Sequence, residues 1–249
     1  MAALFSPLIG ITLNQFEDSS EHYSSYPWAT LRQNYFNSTN ESGAIPVGLP
    51  LCNPKYLPHL LDKIDGLIIS GEDFNLSLQS YTKNKKFIKT KINSIQTSFT
   101  LQLVQQAWER NMPVLGVAEG AQLLTLFLGG NLYEHFSKNQ LNYLPHMQDL
   151  PAYQGSHIIK VIPNTILSSL SKRQSWIVNS YHQQNIKSVG KGQINALAED
   201  GTIEGIEDPS RKFFVGVQWH PEFSIEYLDR KIFSALTSKA KAYAESKHR

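Results

Sequence analysis

The sequence predicts an α/β protein in which a mostly parallel sheet lies between layers of helices. Two observations carry that expectation. In the first half, short apolar runs bounded by turn residues alternate with stretches of helical spacing, the pattern of parallel strands joined by crossover helices. After Gly130 the pattern changes to short alternating segments separated by turns, which adds antiparallel strands to the same sheet.

The apolar runs are Leu8 to Leu13, Ala44 to Leu49, Gly66 to Ile69 and Pro113 to Val117. Each is too short for a buried helix and suits a strand covered on both faces. Thr97 to Arg110 has a broad apolar side made by Phe99, Leu101, Leu103, Val104, Ala107 and Trp108, so it is expected to be helical. The later strands are expected at His157 to Ile162, Ser175 to Val178, Gln193 to Leu197, Thr202 to Ile206 and Phe213 to Gln218, before a final helix from about Ile225 to Glu245. Residues 15–42 and 72–95 are polar and weakly periodic and are expected to form long loops. With no internal repeat and no low-complexity linker, residues 1–249 are expected to form a single domain.

The chain is 41% hydrophobic and 18% charged, ordinary for a globular protein with a real core. Its formal charge of +2 is small, and the basic residues of Lys83 to Lys91 and Arg230 to Arg249 are diluted by polar ones. Solvated faces explain them, and no nucleic-acid partner is expected. Cys52 is the only cysteine, so an internal disulfide and a cysteine-based zinc site are excluded, and the thiol is read as inert. The N-terminal stretch lacks a basic region and is broken by Ser6 and Pro7, unlike a signal peptide. No apolar run approaches the roughly 20 residues that span a bilayer. A cytoplasmic protein with no membrane partner is expected.

The chemistry is concentrated in three segments. Pro113-Val-Leu-Gly-Val-Ala-Glu-Gly-Ala-Gln-Leu-Leu runs from a strand directly into a helix, with Gly116 and Gly120 bracketing the corner. Small residues at such a corner let the central side chain stand on a strained backbone at a helix N-terminus, a setting that activates a nucleophile. The central residue is Ala118, which can neither attack a carbonyl nor lose a proton. In Gly216-Val-Gln-Trp-His-Pro-Glu-Phe, Pro221 ends a strand and leaves His220 at its edge, with Glu222 two residues on to fix the imidazole tautomer. Val178-Asn-Ser-Tyr-His-Gln-Gln places His182 after another strand.

With these segments the chain resembles the class I glutamine amidotransferases, and more closely their γ-glutamyl hydrolase branch, which includes γ-glutamyl-γ-aminobutyrate hydrolases. Pro7-Leu-Ile-Gly-Ile-Thr resembles the opening strand and Ile64-Asp-Gly-Leu-Ile-Ile-Ser-Gly the strand before the oxyanion loop. Leu128-Gly-Gly-Asn-Leu-Tyr, Asp200-Gly-Thr-Ile-Glu-Gly-Ile-Glu and the Trp-His-Pro-Glu segment follow in the expected order. The resemblance implies a flavodoxin-like amidotransferase fold, a three-layer sandwich with added antiparallel strands. It also implies an elbow cysteine that attacks the γ-amide of a glutamyl group to form a thioester. By position, Ala118 occupies the nucleophile site, His220 matches the base and Glu222 the orienting acid. Backbone N–H groups of Gly71 or its neighbour and of Glu119 would form the oxyanion hole. Gly71, Glu72, Glu119, Gln122, Asn179, Ser180, Tyr181 and His182 would line the substrate pocket.

The departures matter as much as the matches. Besides Ala118, Glu72 stands where the family usually has a second glycine, Glu119 where arginine or glycine is common, and Thr100 where glutamate is common. Two carboxylates near the oxyanion site would oppose the charge that develops there. An engineered cysteine-to-alanine change would alter one position alone, whereas a naturally inactive relative drifts at several, and the sequence shows the second pattern. The expected function is therefore that of a γ-glutamyl amide hydrolase relative with weak or absent catalysis, against the alternative of a binding or regulatory module. Ser70 and Ser180 are the candidate replacement nucleophiles. A small γ-glutamyl compound is the expected partner, with a homodimer left open, and no cofactor is expected. His135, His146 and His157 fit no common ligand spacing, so no metal is expected either.

Overall fold

The structure, a computed structural model, describes residues 5–16, 28–71, 94–133 and 144–247. The four apolar runs form β1 (Leu8–Thr12), β4 (Ile45–Leu49), β5 (Gly66–Ile69) and β6 (Val114–Val117). They pair in parallel in the order β4-β1-β5-β6, and β13 (Phe214–Val217) extends the parallel set beside β6. Taken in chain order, these five strands are arranged 2-1-3-4-5, the flavodoxin-like order of a doubly wound sheet. Beyond β13 the sheet continues through β12 (Ile203–Glu207), β11 (Gln193–Ala198), β8 (His157–Val161) and β9 (Ser175–Val178), all antiparallel. Two short strands, β7 (Asn131–Tyr133) and β10 (Asn185–Ser188), pair off the main path.

Successive side chains of the central strands feed two separate cores, which makes the three layers. Ile68, Leu115, Val117, Val215 and Val217 point to one face, where they meet Tyr35 of α1 (Gln33–Glu41) and Ile232, Phe233 and Leu236 of α5 (Tyr227–Lys247). Leu67, Ile69, Val114 and Phe214 point to the other, against α2 (Leu57–Asp62), α3 (Ser94–Glu109) and α4 (Glu119–Phe127). Strands β5, β6 and β13 are buried throughout, as continuous apolar runs require, whereas β8 and β9 alternate buried and exposed positions. Among the described residues no helix is long and apolar enough to cross a membrane.

The loop expected over residues 15–42 is corrected in part. Asn14–Phe16 (β2) pairs with Trp28–Thr30 (β3), and residues 33–41 form α1. Helix α1 escaped the sequence pattern because its buried side is Tyr35, Ser38 and Thr39, a helical i, i+3, i+4 set made of hydroxyl-bearing residues. Residues 72–93 lie outside the described residues, and with them Glu72 and Lys83 to Lys91.

Helix α4 lies unusually close to the sheet, and glycines permit it. A Cβ on Gly120 would sit 2.1 Å from the Ile69 carbonyl oxygen, and one on Gly116 would sit 2.7 Å from the Gly120 backbone. A Cβ on Gly216 would meet Ala121 at 3.0 Å. Gly120→Ala should therefore destabilise the protein by about 2–4 kcal/mol, although alanine gains about 1 kcal/mol of helix propensity over glycine. Urea denaturation of both proteins checks this, and a variant as stable as the native chain would refute the tight contact.

Candidate active site

Three elements converge at the carboxyl edge of β6 and β13, where ligand sites of open α/β sheets gather. Ala118 follows β6 directly and opens α4. Its backbone is held at φ 48°, ψ −109°, a left-handed conformation that a non-glycine residue adopts only under constraint. The constraints are visible. Ala118 N donates to Val217 O at 2.8 Å, Gln122 N donates to Ala118 O at 3.2 Å, and Gly120 is clamped against Ile69. The corner thus has the strained geometry of a nucleophile elbow while carrying a methyl group.

His220 lies three residues beyond Val217 on the neighbouring strand. Its Nδ1 is 2.7 Å from Glu222 Oε1, with both side chains buried. The carboxylate accepts the Nδ1 proton, so the basic nitrogen is Nε2. The backbone of His220 is fixed from the side by Asn179, whose Oδ1 accepts from His220 N at 2.8 Å and whose Nδ2 donates to His220 O at 3.2 Å and Ala152 O at 2.7 Å. The Tyr181 ring lies edge-on to the imidazole at 6.3 Å between centroids.

Sequence reasoning missed two residues that brace this edge, both on α1. Ser38 Oγ donates to Glu222 O at 3.0 Å, and Tyr35 Oη accepts from Gly71 N at 2.9 Å. The periodic Tyr35, Ser38, Thr39 set was the signal available for them. The Gly71 backbone abuts the elbow, since a Cβ there would lie 2.6 Å from Ala118 Cβ, but its N–H is occupied by Tyr35. The neighbouring donor expected at residue 72 lies outside the described residues. Glu119 is half-buried in the first turn of α4.

The other anticipated pocket residues point elsewhere. Gln122 is buried on α4 with its amide donating to Gln184 O at 3.0 Å. Ser180 Oγ donates to His146 O at 2.9 Å, and Ser70 Oγ donates to Thr12 O at 2.9 Å. Both replacement hydroxyls are thus engaged with main-chain carbonyls. His182 turns away from the base toward Glu204, joining His146 and His157 in a buried cluster. Burial alone would raise the Glu204 pKa, but the His182, His146 and His157 imidazoles hold it well below the usual carboxylate range. The fold brings ligand atoms of His146, His182 and Glu204 within 4.8 Å of one another. His135 lies outside the described residues.

The family described as peptidase C26 matches residues 7–222 of this chain. A γ-glutamyl-γ-aminobutyrate hydrolase of Escherichia coli is 30% identical over 256 residues, covering 98% of this chain and 97% of the relative. Protein NtpR of Enterococcus hirae is 31% identical over 223 residues, covering 88% and 92% respectively. Among solved structures, the glutaminase domain of CTPS from Trypanosoma brucei with bound acivicin superposes with a TM-score of 0.62 at 16% identity, covering 95% of this chain and 94% of that one, which shows a shared fold.

A buried acid stands behind the base. Trp219 Nε1 donates to Asp229 Oδ1 at 3.0 Å, and Glu226 N donates to Asp229 Oδ2 at 3.0 Å, which caps the start of α5. Burial, opposed by these two bonds and reinforced by Glu222 and Glu226, raises the Asp229 pKa from 3.8 to about 7. The ionised form is thus penalised in the folded chain, so stability falls as pH rises through that interval, by up to about 1.4 kcal/mol per pH unit. Asp229→Asn should remove this slope. The variant is expected to melt below the native protein at pH 5, where its amide replaces a needed acceptor, with the gap closing by pH 8. A gap that stays constant between those pH values would contradict the raised pKa.

Proposed function

The chain belongs to the peptidase C26 family of glutamine amidotransferase-like proteins, and from that premise we propose that it keeps a γ-glutamyl pocket while hydrolysing γ-glutamyl amides weakly or not at all. One observation carries the reading: the elbow backbone at Ala118 retains its strained geometry, yet its side chain is a methyl group. Attack on an amide carbonyl needs a lone pair at that position and a base to take its proton. His220, oriented by Glu222, supplies the base. Nothing on the elbow supplies the lone pair.

The surroundings support the same conclusion. Ser70 and Ser180 are held by backbone carbonyls and cannot deputise without breaking those bonds. Gly71 N–H, expected to meet an oxyanion, is engaged by Tyr35. Glu119 places a carboxylate at the helix N-terminus whose dipole would otherwise favour negative charge there. These drifts accompany the missing nucleophile, as in a natural pseudoenzyme rather than a single engineered change. A small γ-glutamyl compound remains the expected ligand, because the frame that positions His220 is intact.

Loss of a triad nucleophile removes on the order of 10⁴–10⁶-fold of rate. The native chain should therefore show no γ-glutamyl-γ-aminobutyrate hydrolysis above about one part in 10⁴ of an active relative's rate. Ala118→Cys should raise turnover at least about 100-fold, and adding His220→Ala should abolish the gain. Native turnover matching an active relative, and lost on His220→Ala alone, would overturn the pseudoenzyme reading. A gain in Ala118→Cys would leave the drifted oxyanion residues without a decisive effect.

A further inference from the structure

Next to the segment that carries Asn179, three imidazoles and a carboxylate meet in the protein interior. Glu204 is on β12, His157 begins β8, His182 follows β9, and His146 lies in the segment that bridges to Tyr181 through Met147. All four side chains are at most 3% exposed. His146 Nδ1, His182 Nε2 and His157 Nε2 lie 3.1, 3.4 and 3.5 Å from the same atom, Glu204 Oε1. Yet among the described residues neither Glu204 oxygen, His182 Nε2, nor either His157 nitrogen makes a hydrogen bond of acceptable geometry. Buried polar atoms are normally satisfied, so several that face one point without bonding call for a partner between them.

Two outer contacts orient the rings for such a partner. Asp200 Oδ2 is 3.0 Å from His146 Nε2, and its carboxylate accepts that proton when Nδ1 carries a lone pair. His182 Nδ1 lies 3.2 Å from the Gln184 carbonyl, which accepts its proton when Nε2 carries the lone pair, and 3.1 Å from the Gln218 amide nitrogen, a donor that favours the opposite tautomer. A carboxylate or a carbonyl behind a ligating imidazole is the usual outer shell of a metal site. Charge agrees with this arrangement. Glu204 and Asp200, with side chains 0% and 1% exposed, bring two negative charges among imidazoles, and one divalent cation balances them. Bonds of about 2.0–2.1 Å in a tetrahedron set neighbouring ligand atoms about 3.3 Å apart. Glu204 Oε1 stands 3.1 and 3.4 Å from the His146 and His182 nitrogens.

We propose that His146, His182 and Glu204 bind one divalent transition-metal ion, zinc by their nitrogen and oxygen donor set, with His157 completing the shell. The ion ties β8, β12 and the loop after β9 into one unit. That loop begins with Asn179, so the site steadies the support of His220 without touching the reacting atoms. The sequence hid the set because its members are scattered over residues 146–204 with no helical or hairpin interval between ligands.

The test uses the untagged full chain, stripped with a chelator, reloaded with Zn²⁺, desalted and measured for bound metal. About one zinc per chain is expected to remain. Free Zn²⁺ at a hundredfold excess over Kd should raise the melting temperature by about 5 °C or more, and Co²⁺ should give the visible absorption of a tetrahedral site. His182→Ala and Glu204→Gln should each abolish retention. Because these variants remove core groups, Asp200→Asn serves as the second probe, with the ring contact kept and affinity lowered about 10- to 100-fold. Retention below about a tenth of an equivalent by a stripped native chain with native circular dichroism, with no thermal shift on adding zinc, would refute the site. So would retention unchanged in all three variants.

Discussion

The close seating of α4 on the sheet is the constraint on which the rest depends. Gly120 rests against the Ile69 carbonyl and Gly116 against the Gly120 backbone, distances at which a Cβ would force the backbone to shift, and Gly216 packs tightly against Ala121. With the helix pressed this near to β6, the chain must turn from strand to helix in one residue, and Ala118 takes the left-handed conformation that such a turn imposes. The strain, of the order of 1–3 kcal/mol, is held by packing across α4, β5, β6 and β13. It owes nothing to the side chain at position 118. The elbow geometry is therefore independent of the side chain that stands there.

The opposite half of the site is assembled by different forces. His220 is oriented by Glu222, its backbone is gripped by Asn179, and Ser38 and Asp229 brace the residues on either side. These are buried hydrogen bonds, each with a partner that would be left unsatisfied if the network were broken. Removing any one is costly, so stability alone holds His220 and its support in place, whatever chemistry they serve. A frame of this kind can keep a pocket in shape after its reaction is gone, which is the combination proposed for this chain.

The Glu204 cluster adds a third kind of constraint. Apolar packing explains the two cores on either side of the sheet, but it does not explain three imidazoles around one buried carboxylate. Such a group is favourable only when its charges balance. The proposed divalent cation would achieve that and would link the antiparallel extension of the sheet to the loop that supports His220.

By itself the sequence determined the alternation of parallel strands and helices, the antiparallel extension after Gly130, the elbow at Ala118 and the His220–Glu222 pair. Each is encoded locally: buried strands are unbroken apolar runs, a strand-to-helix corner needs glycines a few residues apart, and a base and its acid two residues apart read directly. Family resemblance added the order of the segments. Helix α1 stayed hidden because hydroxyl groups, not apolar ones, carry its periodicity, and those of Tyr35 and Ser38 find their partners only in the folded chain, at Gly71 and Glu222. The same holds for His182, which looked like a pocket residue beside Asn179 yet turns the other way, since successive side chains along an extended segment face opposite sides. Only tertiary structure decided where Tyr35, Ser38 and His182 act and that His146, His157 and Glu204 meet, because strand pairing between distant segments sets those contacts and no local pattern records it.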